Sequence, residues 1–250
     1  MKKIITIALC AVLAAVFLTG CVTVNFSPFG RVGGGVAGSG NMETFSFNVG
    51  EITEVRVLML CNIVYYSAPS DTISLEIQSN LQQYVIFEES NGVLTVRSSR
   101  NFTTTNPANT PVLTISTPSL KSISHAGAGR LTAVDTITAD SFSLSITGAA
   151  DGTANFDVNN LNINLAGAGN LNLSGTADTA DISMAGAGRL DALELQTRNT
   201  SINLAGVGTV RISCSDSLRI AAGGVGTVEY RGTPSVDTTR GGLVTIRQVG

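Results

Sequence analysis

The sequence contains no tryptophan, and aromatic residues of all kinds make up only 5% of the chain. Charged residues account for 13%, and there is a single histidine, His125. The formal net charge of -3 excludes the basic surplus typical of nucleic-acid-binding proteins. With one histidine and no paired cysteines, the chain also lacks the ligand set of a zinc site. We therefore expect neither a cofactor nor a metal.

The residues that are abundant favour β-structure. Glycine occurs 27 times and hydrophobic residues make up 43% of the chain, alongside many Ala, Ser, Thr, Asn and β-branched residues. Such a composition is typical of strands joined by tight turns, and a chain of 250 residues is long enough to bury a core. The composition predicts an all-β protein.

The first twenty residues have a different character. Lys2 and Lys3 precede the apolar run IITIALCAVLAAVFL, which indicates a signal peptide over residues 1–20. The following Leu-Thr-Gly-Cys resembles the bacterial lipobox, so Cys21 is expected to be acylated and to hold the mature chain on a membrane. An uncleaved anchor and an ordinary signal peptide with a chance cysteine remain as alternatives. Val22 after the cysteine favours the outer membrane if the cell has one.

Residues 21–41 are rich in glycine and predict a flexible tether. From residue 42 the pattern changes to short strands separated by turn signals such as Asn91-Gly92, and the polar stretch 101–110 predicts a loop. Residues 42–250 are therefore expected to form a single domain.

From about residue 123 the sequence repeats an AGAG-like turn. The first glycines of the turns follow one another at intervals of 21, 19, 19, 20 and 18 residues. The turn glycines are Gly127, Gly129, Gly148, Gly167, Gly169, Gly186, Gly188, Gly206, Gly208, Gly224 and Gly226. Repeats of this length predict a parallel β-solenoid, in which each coil of about 20 residues stacks on the one before.

The residues beside the turns keep the same phase. After each turn the apolar positions form the columns Leu131, Ala154, Leu171, Leu190, Val210, Val228 and Ala133, Phe156, Leu173, Ala192, Ile212, Tyr230. Before each turn lie Leu144, Ile163, Ile182, Ile202, Ile220 and Ile146, Leu165, Met184, Leu204, Ala222. Polar residues alternate with them, so one side of each strand is expected to face a core.

The glycine pairs also resemble part of a phosphate-binding loop. That loop needs a third glycine and a helix after it, whereas GAGRLT, GAGNLN and GAGRLD lack the glycine and are followed by strands. The turns are therefore structural. Gly167 and Gly169 are expected to adopt positive φ at a corner where side chains of successive coils would collide.

The lipobox, the segment PVLTISTPSLKSISHAGAGRL and the recurring AGAG turns together resemble the bacterial putative auto-transporter adhesin family with a head GIN domain. The likeness runs from about Gly38 to the C-terminus. It implies a β-solenoid surface protein and brings no catalytic residues with it. TGAADG (147–152) departs from the repeat and predicts a bulge or insertion at that corner.

Some chemically active residues need separate interpretation. His125 occupies a core position of the repeat, and Cys61 and Cys214 lie in apolar surroundings that predict two separate buried thiols. A regular calcium array is not expected, because the aspartates do not share one phase: Asp135, Asp140, Asp151, Asp157, Asp178, Asp181 and Asp191. Asp157 and Asp191, on neighbouring strands, are the carboxylates that a glycosidase would need to bring together.

These observations lead to one functional hypothesis and two alternatives. The hypothesis is a non-catalytic, lipid-anchored protein of the bacterial cell envelope whose polar lateral surface contacts a glycan or protein. One alternative is a carbohydrate-active β-helix enzyme, either a lyase or a hydrolase, and the other is a structural stalk with no ligand. The strand VTIRQVG (244–250) would leave an open edge, through which the chain could form a homo-oligomer.

Overall fold

The computed structural model describes residues 35–104 and 106–250. Of these residues, 73% lie in strands and 3% in helices. Stacked parallel coils of about 20 residues form a β-solenoid of about 6 turns. The predicted all-β solenoid is therefore confirmed. The predicted signal peptide, Cys21 and the tether up to residue 34 lie outside the described residues. None of the helices within 35–104 and 106–250 has the length and apolar character needed to span a bilayer.

The described residues form sixteen strands and two single-turn 3-10 helices, Gln82–Tyr84 and Pro107–Asn109. The strands are β1 (Val36–Ala37), β2 (Met42–Asn48), β3 (Glu54–Leu58), β4 (Asn62–Tyr66), β5 (Thr72–Gln78), β6 (Val85–Ser90), β7 (Val93–Ser98), β8 (Phe102–Thr103), β9 (Val112–Ser116), β10 (Ser122–Ala133), β11 (Ile137–Met184), β12 (Ala187–Leu204), β13 (Val207–Ala222), β14 (Val225–Arg231), β15 (Ser235–Arg240) and β16 (Leu243–Gln248). The longest of them bend through corners and include more than one side of a coil.

Parallel pairing joins each coil to the next. β10 pairs with β11, β11 with β12 and β12 with β13. β13 then pairs with both β14 and β15, and β14 pairs with β16. The paired residues of these strands bond to a neighbouring coil, so the stack grows by the spacing of parallel strands, about 4.8 Å per coil.

The inside of the stack is filled by the aliphatic columns. Leu171 pairs with Leu190, which pairs with Val210, and all three are buried. On the strand before the corner, Ile182 lies opposite Ile202 in the same way. Like side chains therefore stack on one another along the core, as the alternating pattern predicts.

The observed register shows that Ala154 and Phe156 do not lie in the columns predicted for them. Leu131 lies opposite Gly152 and not beside Ala154, because TGAADG stacks on the preceding turn without an inserted residue. A Cβ on Gly152 would lie 2.8 Å from Leu171 Cδ2, so the next coil's leucine fills the space that the missing side chain leaves. Phe156 lies farther along the strand, with its ring centroid 5.4 Å from that of Phe142.

The turn glycines are needed mainly because the coils approach so closely at this corner. A Cβ on Gly167 would lie 1.9 Å from the carbonyl oxygen of Gly148, and one on Gly186 would lie 1.7 Å from that of Gly167. Gly148 takes a φ of +130°, but Gly167 does not adopt a left-handed φ. The expectation of positive φ at Gly167 is therefore wrong, and the requirement for glycine there is steric.

The first part of the domain is not a regular coil. β6 and β7 form an antiparallel hairpin through Asn91 and Gly92, and β2 pairs antiparallel with β5. The polar stretch predicted as a loop contains β8, which pairs with β1. The tether predicted to extend to residue 41 is thus wrong for its last part, because Val36–Ala37 is a paired strand of the folded body.

His125 and the two cysteines lie inside. His125 is buried opposite Ile146, its Nε2 lies 3.3 Å from the carbonyl oxygen of Met59, and its Nδ1 has no hydrogen-bond partner. Burial lowers the pKa of this histidine. Cys61 and Cys214 are both buried and free, as predicted, and burial raises the pKa of the Cys61 thiol to about 12.

We predict that Gly186→Ala lowers the free energy of unfolding by about 2–4 kcal/mol, because the new methyl group overlaps the carbonyl of Gly167. Equilibrium urea unfolding measures the change. Gly223→Ala is the matched control, since a Cβ on Gly223 meets nothing within 4 Å. Equal destabilisation of the two variants would contradict the steric explanation.

We also predict that His125 makes stability depend on pH. Because the folded state lowers the pKa of His125 below its ordinary value of 6.5, the unfolded chain takes up a proton first as the pH falls. The free energy of unfolding should therefore decrease below about pH 6.5, until the folded protein also binds the proton. His125→Ile, which matches the stacked Ile146, should remove this part of the pH dependence in urea titrations. An unchanged slope in the variant would contradict the assignment.

Candidate functional site

A row of outward-facing residues follows the inner column on the strand after the glycine corner. It starts with Thr132 opposite Thr153 and continues with Asn172, Asp191, Arg211, Glu229 and Arg247, which pair in that order from coil to coil. We call this row the outer ladder. It exists because strand residues alternate between core and surface while the coils keep their register.

The charged members of the outer ladder bind one another in sequence. Arg211 donates to Asp191 through Nη1 at 2.8 Å and to Glu229 through Nε at 2.9 Å. Glu229 also accepts from Arg247, and Asp191 accepts from Arg189 at 3.1 Å. The signs alternate along the stack, so every carboxylate of this set has cationic neighbours.

These contacts determine the protonation of the two carboxylates. Burial raises the pKa of Asp191, but hydrogen bonds from Arg211 and Arg189 outweigh it, and the pKa lies below its usual value. Hydrogen bonding to Arg247 lowers the pKa of Glu229, against a smaller effect of burial. Both groups are therefore ionised at neutral pH, and neither is prepared to donate a proton to a leaving group.

The register between β12 and β13 is irregular next to the outer ladder. Ala192 of β12 pairs with Ile212 of β13 and Gln196 pairs with the next residue, Ser213, so the three residues between them on β12 have no counterpart. Ser213 Oγ donates to the carbonyl oxygen of Leu193 at 2.6 Å, and Arg231 Nη1 lies 3.4 Å from the same oxygen. In this bulge, residues 193–195, Leu193 and Leu195 are buried and Glu194 is exposed beside the outer ladder.

A groove of about 640 Å³ is lined by residues of the outer ladder and of this bulge. Apolar side chains contribute to its floor, and amide, hydroxyl and charged groups surround them. The lining residues are Ala133, Thr153, Ala154, Asn155, Asn172, Leu173, Ser174, Asp191, Leu193, Glu194, Arg211 and Arg231. We call this the lateral groove. Glu194 and Arg231, which both line it, form an ion pair at 3.5 Å.

The structure does not bring the two predicted carboxylates together. Asp191 lines the lateral groove, whereas Asp157 accepts a hydrogen bond from Thr176 at 3.0 Å and lines a separate depression. Asn172, which pairs with Asp191, is four residues before Thr176, and four strand residues span about 13 Å. This exceeds the separation that glycosidase carboxylates use, so the expectation that Asp157 and Asp191 approach one another is wrong.

The sequence analysis did not identify the residues that distinguish the lateral groove from the same position on the other coils. Glu194 and Arg231 were not singled out, and neither was the bulge. A signal was present, because the repeat interval changes from 20 to 18 residues where β12 meets β13. In the described ranges, 35–104 and 106–250, no three His, Cys, Asp or Glu side chains gather into a set that could hold a metal ion.

Comparisons with known proteins agree with this architecture. A crystal structure of a putative adhesin from Bacteroides fragilis NCTC 9343 superposes with a TM-score of 0.80 at 22% identity, covering 86% of this chain and 100% of that one. Two structures from Parabacteroides distasonis ATCC 8503, described as a putative lipid binding protein and a putative adhesin, each give a TM-score of 0.64 at 19% identity. These two cover 86% of this chain and 99% and 100% of their own chains, respectively. No curated protein matches the sequence significantly.

The sequence also matches a family profile. The profile described as "Putative auto-transporter adhesin, head GIN domain" aligns with residues 51–234, which is most of the chain. That range contains the glycine turns, the outer ladder up to Glu229 and the lateral groove. It agrees with the resemblance carried by the AGAG turns. The chain belongs to the putative auto-transporter adhesin, head GIN domain family.

Proposed function

We propose that the mature chain is a non-catalytic, lipid-anchored protein of the bacterial cell envelope that binds a glycan in its lateral groove. The observation that carries the proposal is the groove itself, a surface site lined by both hydrogen-bonding groups and apolar side chains. Membership of a family described as adhesins supports a binding role at the cell surface. The neighbouring structures described as adhesins support the same role.

The chemistry of the groove fits a sugar better than a charged polymer. Asn155, Asn172 and Thr153 offer amide and hydroxyl groups that donate and accept hydrogen bonds, as sugar hydroxyls require. The charged groups of the outer ladder are already paired with one another, so they can accept neutral hydroxyl partners without being left unpaired. Leu173 and Leu193 are apolar lining residues that can contact the C–H face of a ring.

Lipid attachment at Cys21 places the groove at a membrane. The proposed acyl group rests on Leu-Thr-Gly-Cys following an apolar signal segment. Two or more acyl chains anchor a protein stably, because each buried methylene adds about 0.8 kcal/mol. In a cell with two membranes, Val22 favours the outer one.

The anchor leads to one prediction. When the full-length gene product is expressed in bacteria, the mature protein should partition into the detergent phase on Triton X-114 separation. Cys21→Ser should move it to the aqueous phase, because the acylated thiol is lost. Mass spectrometry of the first tryptic peptide provides the control, since it shows the lipid directly. An unmodified Cys21 would contradict the assignment.

The groove leads to a second prediction, tested with the Cys21→Ser chain on a glycan array. Asn172→Ala should weaken binding of any retained glycan about tenfold, the effect of losing one or two good hydrogen bonds. Asn203→Ala is the matched control, because Asn203 is also an exposed strand asparagine and lies outside the groove.

Turnover is measured in the same samples by assaying for released reducing sugar. Binding without released sugar, weakened only by Asn172→Ala, is the expected result. Equal binding by the two asparagine variants would place the ligand elsewhere. Sugar release that Asp191→Asn abolishes would instead support the carbohydrate-active enzyme.

A further inference from the structure

A column of exposed aliphatic side chains runs along the glycine corner, on a different part of the coil from the lateral groove. It consists of the residue that follows the first turn glycine of each coil, from Ala128 to Leu243. The first four coils place alanine there, and the last three place Val207, Val225 and Leu243. These three are 59%, 49% and 80% exposed. We call the column the aliphatic ridge.

The surroundings of the ridge leave its large side chains prominent. Glycines flank Val207 and Val225 along the chain, and Leu243 follows Gly242 and precedes the buried Val244, so no adjacent side chain covers any of the three. Thr209 and Thr227, two residues farther on, are neutral. The exposed part of the ridge is therefore an apolar strip without charged residues in its own column, and its exposure costs free energy unless something covers it.

The corner is also apolar at the other end of the stack, near the first glycine turn. Val57 pairs with His125, so Leu58, which is 46% exposed, lies at the level of the first glycine turn. Leu58 and Phe102 line one small cavity, and Phe102 pairs with Val36 of β1. The chain that leads from Cys21 therefore joins the folded body beside this corner.

We propose that the aliphatic ridge lies against the phospholipid bilayer to which Cys21 is attached. Six spacings of about 4.8 Å separate the seven ridge residues, so the ridge is about 30 Å long. The 13 residues between Cys21 and Gly35 span up to about 48 Å when extended, so the anchor allows the body to lie along the surface. The placement rests on the acylation that is part of the proposed function.

The dimensions favour a bilayer over a second copy of the chain. A ridge of about 30 Å by 10 Å offers about 300 Å², whereas a stable protein interface buries about 800 Å² on each partner. A bilayer needs no complementary shape, and the lipid anchor keeps the ridge near it. Asn172 of the lateral groove follows the ridge residue Ala168 by four positions, so the groove would stay open to solvent at the side.

The experiment places an environment-sensitive fluorophore on Val225→Cys and, as the control, on Thr176→Cys, an exposed residue outside the ridge. The native Cys61 and Cys214 are buried and stay unlabelled in the folded chain. Each chain carries Cys21→Ser and is held by an N-terminal hexahistidine tag on nickel-chelating phosphatidylcholine vesicles. Attachment is then independent of acylation, so failure of the anchor and failure of the ridge can be told apart.

We expect brominated acyl chains to quench the label at position 225 at least about threefold more than the label at position 176. Replacing Val207 and Leu243 by threonine should reduce this quenching, because it removes the neighbouring apolar side chains without disturbing the strands. Equal quenching at the two positions would overturn the proposal. An efficient disulfide between two unlabelled Val225→Cys chains on the vesicles would also overturn it, in favour of a second copy.

Discussion

The structure depends on how closely successive coils approach one another at the glycine corner. Parallel strands pair their backbones only when they are about 4.8 Å apart. At this corner the Cα–Cβ direction points toward the coil below, and a Cβ on Gly206 or Gly224 would lie about 2 Å from a carbonyl oxygen. Any side chain would push the coils apart and would break the hydrogen bonds on both sides. Glycine therefore keeps the stack together, and the inner leucines and valines supply the apolar burial that stabilises it.

Stacking also turns each sequence position into a column on the surface. Like charges directly above one another would repel, so the outer ladder alternates in sign from Asp191 through Arg211 to Glu229. Such pairs contribute little to stability when they are exposed, but they fix the side chains in place. The lateral groove is consequently lined by groups that lose little freedom when a ligand binds.

The periodic part of the fold could be predicted from the sequence, and the exceptions could not. Leu171, Leu190 and Val210 are spaced by about one coil of sequence, so their stacking in one buried column could be predicted from the sequence. Gly152 was missed because a glycine gives no sign that a leucine of the next coil fills its place. Asp157 and Asp191 were misjudged because register along a strand, and not nearness of strands, decides which side chains meet. The antiparallel strands that begin the domain also fall outside the repeat.

The site arises where the repeat changes length. In a strictly periodic solenoid every coil presents the same surface, and no position is distinguished from the others. The three unmatched residues of β12 break this equivalence, because they place Glu194 at the surface and bring the carbonyl oxygen of Leu193 to Ser213 and Arg231. The aliphatic ridge shows the opposite case: its register from Ala187 to Leu243 is unbroken, which produces an extended strip. A local irregularity suits a discrete ligand and an unbroken column suits an extended surface, so the two features assign different partners to different sides of one coil.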